Sequence, residues 1–257
     1  MFFQIKHLSV EFSQQNEAHQ ILSDVSLSVS EGEFVALVGE SGSGKTMTAL
    51  SSMHLLPEQI HVTGGEILLG EKNLSAMSDR EFRSVSGKEI SMVFQSPMTS
   101  LNPLMKVGKQ IEEAGLIHGM SKEEACRRAR ELSKKIGLSD TERIMQSFPH
   151  ELSGGMKQRI MIASALMNNP RLLIADEPTT ALDVSTQEEI IKILVNLRQN
   201  LKIAMLLISH DLSVVKKLCS RVYIMYKGKI IESGTIEEIF DNPRHEYTKA
   251  LVMAGKI

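Results

Sequence analysis

The strongest chemical signal in the sequence is the run Gly39-Glu40-Ser41-Gly42-Ser43-Gly44-Lys45-Thr46. It follows the apolar residues Phe34-Val35-Ala36-Leu37-Val38 and leads into Met47-Thr48-Ala49-Leu50, which reads as the start of a helix. Strand, glycine-rich turn and helix together form a phosphate-binding setting. The backbone amides converge on the anion and the helix N-terminus adds partial positive charge. Lys45 can reach the β- and γ-phosphates of a nucleotide, and the Thr46 hydroxyl is placed to bind Mg²⁺. The chemistry is nucleotide binding; the loop alone does not name the reaction.

Other candidate residues sit at the ends of apolar runs. Asp176 closes Leu172-Leu173-Ile174-Ala175 and can complete a Mg²⁺ shell that Thr46 begins. Its neighbour Glu177 is a carboxylate able to take a proton from a water attacking the γ-phosphate. Gln95 follows Ile90–Phe94, where its amide can bind Mg²⁺ or the water. His210 follows Ile203–Ile208, within reach of a γ-phosphate or that water. Leu152-Ser153-Gly154-Gly155-Met156 opens a helix, with Ser153 as its cap and two glycines leaving the backbone open to an anion. A chain with one phosphate loop has no obvious need of a second such terminus. The surplus suggests that it serves a nucleotide on another subunit. The fifteen methionines are scattered and read as core packing.

The elements that must position these residues alternate between strand and helix. Phe3, Ile5, Leu8, Val10 and Phe12 indicate an N-terminal strand or two, with a loop over Ser13–Gln20. Val25, Leu27 and Val29 alternate with serines, the period of a half-buried strand. Thr63-Gly64-Gly65 precedes a short strand over Glu66–Leu69, and Gly70-Glu71-Lys72-Asn73 reads as a turn. Ser96-Pro97 and Asn102-Pro103 interrupt the chain. From about Val107 to Ile136 the pattern is helical, and the mixed charges of Lys122–Arg128 read as a solvated face. A helix with Ile190, Ile191, Leu194, Leu197 and Leu201 along one side follows Glu177. Ile203–Ile208 reads as a fully buried strand and is followed by a helix to about Cys219. Val222–Tyr226 and Lys229–Glu232 form a pair about the Lys227-Gly228 turn. The tail is helical in two pieces broken at Asn242-Pro243. The expected organisation is α/β, with residues 98 to about 168 as a mostly helical insertion.

Composition narrows the setting. The chain has 257 residues, and its 42% hydrophobic and 23% charged fractions are those of an ordinary globular domain. A net charge of −2 gives no nucleic-acid footprint. The longest apolar run is too short to cross a bilayer, and the N-terminus lacks the apolar core of a signal peptide. Cys126 and Cys219 stand alone, which suits a reducing cytoplasm.

With these residues assembled, the chain resembles the ATP-binding subunits of ABC transporters over nearly its whole length. Gly39–Thr46 matches the Walker A loop, Gln95 the Q-loop and Leu152–Met156 the signature motif, with Met156 where Gln is commoner. Leu172–Asp176 matches Walker B, Glu177 the catalytic glutamate, Ala181-Leu182-Asp183 the D-loop and His210 the switch histidine. Phe12 is the candidate for stacking on adenine. The resemblance implies a P-loop NTPase core with an N-terminal antiparallel β subdomain and an inserted helical subdomain. The single domain would have its core at 1–97 and 169–235, its helical part at about 98–168 and a tail at 236–257. It implies ATP and Mg²⁺ as ligands, and hydrolysis with Glu177, His210 and Gln95 as catalytic residues. It also implies a head-to-tail dimer, in which ATP lies between one subunit's Gly39–Thr46 and the other's Ser153, Gly154 and Gly155, with Asp183 among the ATP-binding residues. The second ATPase subunit is expected to be the same or a related chain. Further implied partners are membrane permeases and, indirectly, an extracytoplasmic substrate-binding protein. Nucleic acid is not among them, and the location is the cytoplasmic face of the membrane.

Finer features resemble the peptide/nickel importer branch: Phe94–Pro103, ADEPTTALD over Ala175–Asp183, and Asn242–Thr248, where Glu246 replaces the proline of a His-Pro-Tyr-Thr element. Members of that branch with a cysteine-bearing extension can carry an iron–sulfur cluster; those cysteines are lacking here, so none is expected. Peptide import is the leading expectation, with nickel or metal-chelate import as the alternative. A soluble ABC ATPase of translation or DNA repair would usually show tandem cassettes, a long coiled coil or zinc-binding cysteines. A non-hydrolysing regulatory module is disfavoured by Glu177 and His210.

Overall fold

A computed structural model describes residues 1–14, 17–180, 182–200 and 202–254. Strands β1 (Phe3–Gln14) and β2 (Glu17–Val29) form a long antiparallel pair. β3 (Phe34–Val38) leads through the glycine-rich turn into α1 (Lys45–Ser52). β4 (Ile60–Leu69), the two-residue β5 (Lys72–Asn73) and α2 (Asp79–Phe82) follow. Next come β6 (Ile90–Val93), α3 (Pro97–Ser100), α4 (Val107–Leu116), α5 (Lys122–Lys135), α6 (Thr141–Gln146) and α7 (Gly154–Ala165). The rest of the chain holds β7 (Leu172–Asp176), α8 (Val184–Asn200), β8 (Ala204–Ile208), α9 (Leu212–Leu218), β9 (Arg221–Tyr226), β10 (Lys229–Thr235), α10 (Ile236–Asp241) and α11 (Glu246–Ala254).

The chain divides into two compact units, residues 1–82 with 202–257, and residues 83–201. In the first unit an antiparallel sheet runs in the order β2-β1-β4-β5. Beside it, β3 pairs in parallel with both β8 and β9, and β10 adds to β9 antiparallel. All five residues of β3 and all five of β8 are buried, as strands covered on both faces must be. β9 turns into β10 at Lys227 and Gly228, both at positive φ, as the two-residue turn requires.

The second unit pairs β6 with β7 in parallel and packs helices against them. Ser121 caps α5 by accepting from the Glu124 N–H, and acidic residues open that helix while Lys134 and Lys135 close it, which matches the helix dipole. α7 is buried on several sides, through Gly155, Lys157, Gln158, Ile160, Met161 and Ile162 among others.

Four local expectations are corrected. The loop expected over Ser13–Gln20 is mostly strand: Ser13 pairs with Ala18 and Gln14 with Glu17, while Gln15 and Asn16 lie outside the described residues. Apart from Ala18 those residues are polar, so no alternation betrays them. Thr63-Gly64-Gly65 lies inside β4, whose pairing with β1 starts at Ile60. Gly65 faces an irregularity in β1 at His7, and a Cβ on it would sit 2.5 Å from the Lys6 carbonyl oxygen. The glycine marks a close backbone approach within a strand rather than its boundary. The turn after β4 is Gly70-Glu71 only, since Lys72 and Asn73 pair back onto Leu69 and Leu68. The helical stretch from Val107 is two helices: Gly119, at φ +89, turns the chain after α4, and the Ser121 cap starts α5.

Candidate nucleotide-binding site

The phosphate loop begins at the carboxyl end of β3, and His210 follows the neighbouring parallel strand β8. Ser209 donates its N–H to the Leu37 carbonyl at 3.3 Å, so the two strand ends stay in register. His210 itself is exposed, and Asp211 caps α9 by accepting from the Ser213 and Val214 N–H groups.

Within the loop, Gly42 and Gly44 adopt φ of +79 and +109, which a side chain would strain. Gly39 has no room for one: its Cβ would lie 2.2 Å from the Met225 carbonyl oxygen. Lys45 is only 5% exposed, and its Nζ donates to the Gly39 and Glu40 carbonyls, at 2.8 Å each. The ammonium is thus folded over the loop rather than extended into solvent. Gly44 is the N-cap of α1 and supplies no side chain to cap it, which leaves that helix terminus without a competing side-chain acceptor. Ser43 Oγ is buried and has no hydrogen-bond partner among the described residues. An orphaned hydroxyl beside a lysine and an uncapped helix start fits an anion, so the residues present suit a nucleotide's phosphates. Thr46 is half-buried on the first turn of α1, and Phe12 is half-buried in β1, opposite His19 and Ile60.

In the other unit, Gln95 and Glu177 follow the adjacent parallel strands β6 and β7, and the structure brings them together. Gln95 Nε2 donates to Glu177 Oε2 at 3.1 Å, and Thr180 Oγ1 donates to the same oxygen at 2.8 Å. Glu177 adopts φ +45, a conformation uncommon for a side chain this size and typical of sites where orientation matters. Asp176 is 2% exposed at the end of β7. Thr180 was not among the sequence candidates. Its signal is only local: a hydroxyl three residues after the glutamate, in the turn closed by Thr180 N–H to Glu177 O.

The Leu152–Met156 segment behaves as its composition predicts. Ser153 Oγ accepts from the Met156 N–H at 3.3 Å and caps α7, with Ser153 and Gly154 exposed. Gly155 is buried, and a Cβ on it would lie 2.2 Å from Thr186 Cγ2 of α8. Ala181 of the expected D-loop lies outside the described residues. Asp183 caps α8, accepting from the Ser185 hydroxyl, the Thr186 N–H and the Thr186 hydroxyl. Those bonds, Ser185 foremost, hold its carboxyl far below the usual carboxylate range.

No group of three or more His, Cys, Asp or Glu among the described residues forms a metal cage. The Asp176 carboxylate and the Thr46 hydroxyl are each hard oxygen donors of the kind Mg²⁺ takes.

A glycine-rich loop after a buried parallel strand, with an acidic pair closing another, defines a nucleotide-binding α/β protein of the P-loop class. Residues 22–180 match the ABC transporter family. The oligopeptide transport ATP-binding protein OppD of Bacillus subtilis is 47% identical, over 97% of this chain and 70% of its own length. A probable peptide ABC transporter ATP-binding protein of Sinorhizobium fredii is 45% identical, over 98% and 76%. Among solved structures, the dimeric post-hydrolysis state of an ATP-binding cassette bound to ADP and Pi superposes with a TM-score of 0.81. It is 30% identical and the match covers 91% of this chain and 98% of that one. The chain belongs to the ABC transporter ATP-binding family.

Proposed function

We propose that this protein binds and hydrolyses ATP to energise a membrane importer, and that the importer's cargo is dipeptides or oligopeptides. The observation that carries hydrolysis is the Glu177 carboxylate, fixed by Gln95 and Thr180 beside the Asp176 strand end. Cargo rests on the peptide transporters among the relatives, together with the Phe94–Pro103 segment.

In this reading Lys45 and the amides of Gly42–Thr46 bind the β- and γ-phosphates, with Glu40 and Ser41 lining the loop and Phe12 against the adenine. Thr46, Gln95 and Asp176 are the residues that would hold Mg²⁺, which would supply charge neutralisation at the phosphates. Glu177 accepts the proton of the attacking water as its oxygen bonds to the γ-phosphorus and the bond to the ADP oxygen breaks. Gln95 and Thr180 keep that carboxylate aimed. His210 stabilises the γ-phosphate or water from β8. Ser153, Gly154, Gly155 and Asp183 complete a second copy's site in a head-to-tail dimer. The domain boundaries that go with this reading are a core at 1–97 and 169–235, a helical part at about 98–168 and a tail at 236–257.

The permease seat we assign to the second unit. A cleft of about 510 Å³ there is lined by Met92, Phe94, Leu101, Ile117, Met161 and Ala165 among others. Ile117 is 72% exposed, and Leu104 and Met98 are exposed at 88% and 67%. Exposed apolar side chains such as these suit a partner surface. No helix among the described residues is long and apolar enough to cross a membrane; in this reading the spanning subunits are permease chains. The place of work is the cytoplasmic face of the membrane. Reconstitution with the permeases and a substrate-binding protein in vesicles tests the whole reading. ATPase activity should rise with peptides and not with chelated nickel, and the opposite response would overturn the peptide assignment.

A further inference from the structure

We infer that Tyr247, on the first turn of α11, is a positioning residue of the phosphate loop and couples the C-terminal helix to nucleotide binding. The inference rests on the nucleotide-binding role proposed for Gly39–Thr46.

The Glu40 N–H donates to Tyr247 Oη at 2.9 Å, across 207 residues of chain. Lys45 Nζ holds the carbonyl of the same residue. The Glu40 backbone is therefore gripped at both polar groups, by a side chain inside the loop and by one from the far end of the sequence. Phosphates compete for the Lys45 donors, since a bound γ-phosphate is the stronger acceptor. As Lys45 turns toward them, the grip on the Glu40 carbonyl weakens while the Tyr247 grip on the N–H stays.

Tyr247 is itself well located. Its ring packs on Tyr226, the last residue of β9, with centroids 4.4 Å apart and planes tilted by 35°. Glu232 of β10 accepts from the Arg244 and His245 N–H groups, at 2.7 and 3.0 Å, which pins the start of α11 to the hairpin. The same hairpin meets the loop again: the Gly228 N–H donates to the Ser43 carbonyl at 2.9 Å, and the Met225 carbonyl abuts Gly39. Both ends of the loop thus rest on one platform, of which Tyr247 is the outer post. Preorganisation of this sort lowers the ordering cost of binding.

Tyr247→Phe removes the hydroxyl and keeps the ring. In the full chain, titrated with a fluorescent ATP analogue and Mg²⁺, the variant should bind about three- to tenfold more weakly, the loss expected for one hydrogen bond. Its ATPase KM should rise by the same factor while kcat changes less than about twofold, because the carboxylate chemistry is untouched. By reciprocity, ATP should slow amide exchange over Glu246–Ala254 in the wild type, and that protection should vanish in Tyr247→Phe. Tyr247→Ala should exceed Tyr247→Phe in both effects. If wild type binds ATP and Tyr247→Phe binds it equally well, the positioning role falls and the loop's role stands. A lower melting point with unchanged affinity and unchanged exchange protection overturns it equally. If wild type binds no nucleotide, the reading of the loop falls and takes this inference with it.

Discussion

At the scale of single residues, the proposed reading gives binding to Lys45 and chemistry to Glu177. Lys45 is buried among loop carbonyls, so replacing it with alanine removes both the charge that meets the phosphates and the clasp on Gly39 and Glu40. Lys45→Ala should bring ATP affinity below detection in a direct titration; unchanged affinity would remove Lys45 from its role. Glu177→Gln keeps the shape and the acceptor oxygen for Gln95 and Thr180 but cannot take a proton. It should retain ATP while turnover falls by about a hundredfold or more. Phosphate release measured at saturating ATP decides this, and full turnover would assign the base elsewhere. Both were legible in the sequence: Lys45 stands in the glycine-rich run that follows a strand, and Glu177 follows the apolar run Leu172–Ala175, where a strand delivers it to the edge of the sheet. Thr180 and Tyr247 were not. Thr180 stands in a turn with no pattern of its own, and Tyr247 meets its partner across 207 residues that no local periodicity connects.

At the scale of elements, most strands and helices could be read from apolar period. The errors fell where period is absent: the polar end of the β1–β2 pair, and the glycines of β4 that look like a boundary and serve a close approach. Two contacts between elements make predictions. Gly155 lets α7 approach α8, and an added Cβ would meet Thr186 Cγ2 at 2.2 Å. Gly155→Ala should therefore lower stability by about 1–3 kcal/mol, the cost of overpacking. Adding Thr186→Ser, which deletes the methyl and keeps the hydroxyl that bonds Asp183, should restore most of it. Equal melting points for the single and double variants would mean that the helices separate for another reason. The second contact ties β3 to β9. Glu33 accepts from Arg221 Nε at 2.7 Å and from the Ser30 N–H at 2.8 Å, while Arg221 Nη2 donates to the Ser28 carbonyl. Burial pushes the Glu33 pKa up, but the Ser30 and Arg221 bonds outweigh it and the net direction is down from 4.5. A carboxyl depressed on folding contributes stability that is fully present above its unfolded value. That contribution is lost as pH falls through the folded one. Thermal melting should therefore weaken below about pH 4.5, less steeply in Glu33→Gln than in wild type; identical pH profiles would deny Glu33 that share.

At the scale of the whole molecule, each chain carries one phosphate loop and one α7 terminus, in different compact units. Two copies related by a two-fold axis would form two equivalent composite sites, since whatever one chain gives, the other returns. The solved relative with ADP and Pi is itself dimeric, and the exposed Ser153 and Gly154 offer the accessible terminus such a site needs. The shared site can be tested by mixing two inactive variants. Gly154→Asp should fold normally, because among the described residues a Cβ there meets only Leu182 Cδ2, at 3.6 Å. Its carboxylate would repel a phosphate approaching α7, so the variant should lose ATPase activity. Lys45→Ala loses it at the loop. In a mixed dimer one site collects both defects and the other has neither. Random pairing in an equal mixture makes half the dimers mixed, so about a quarter of wild-type ATPase activity should return. If the loop and the α7 terminus of one chain served the same nucleotide, both variants would stay dead in any combination. A mixture with no recovered activity would thus sink the shared site.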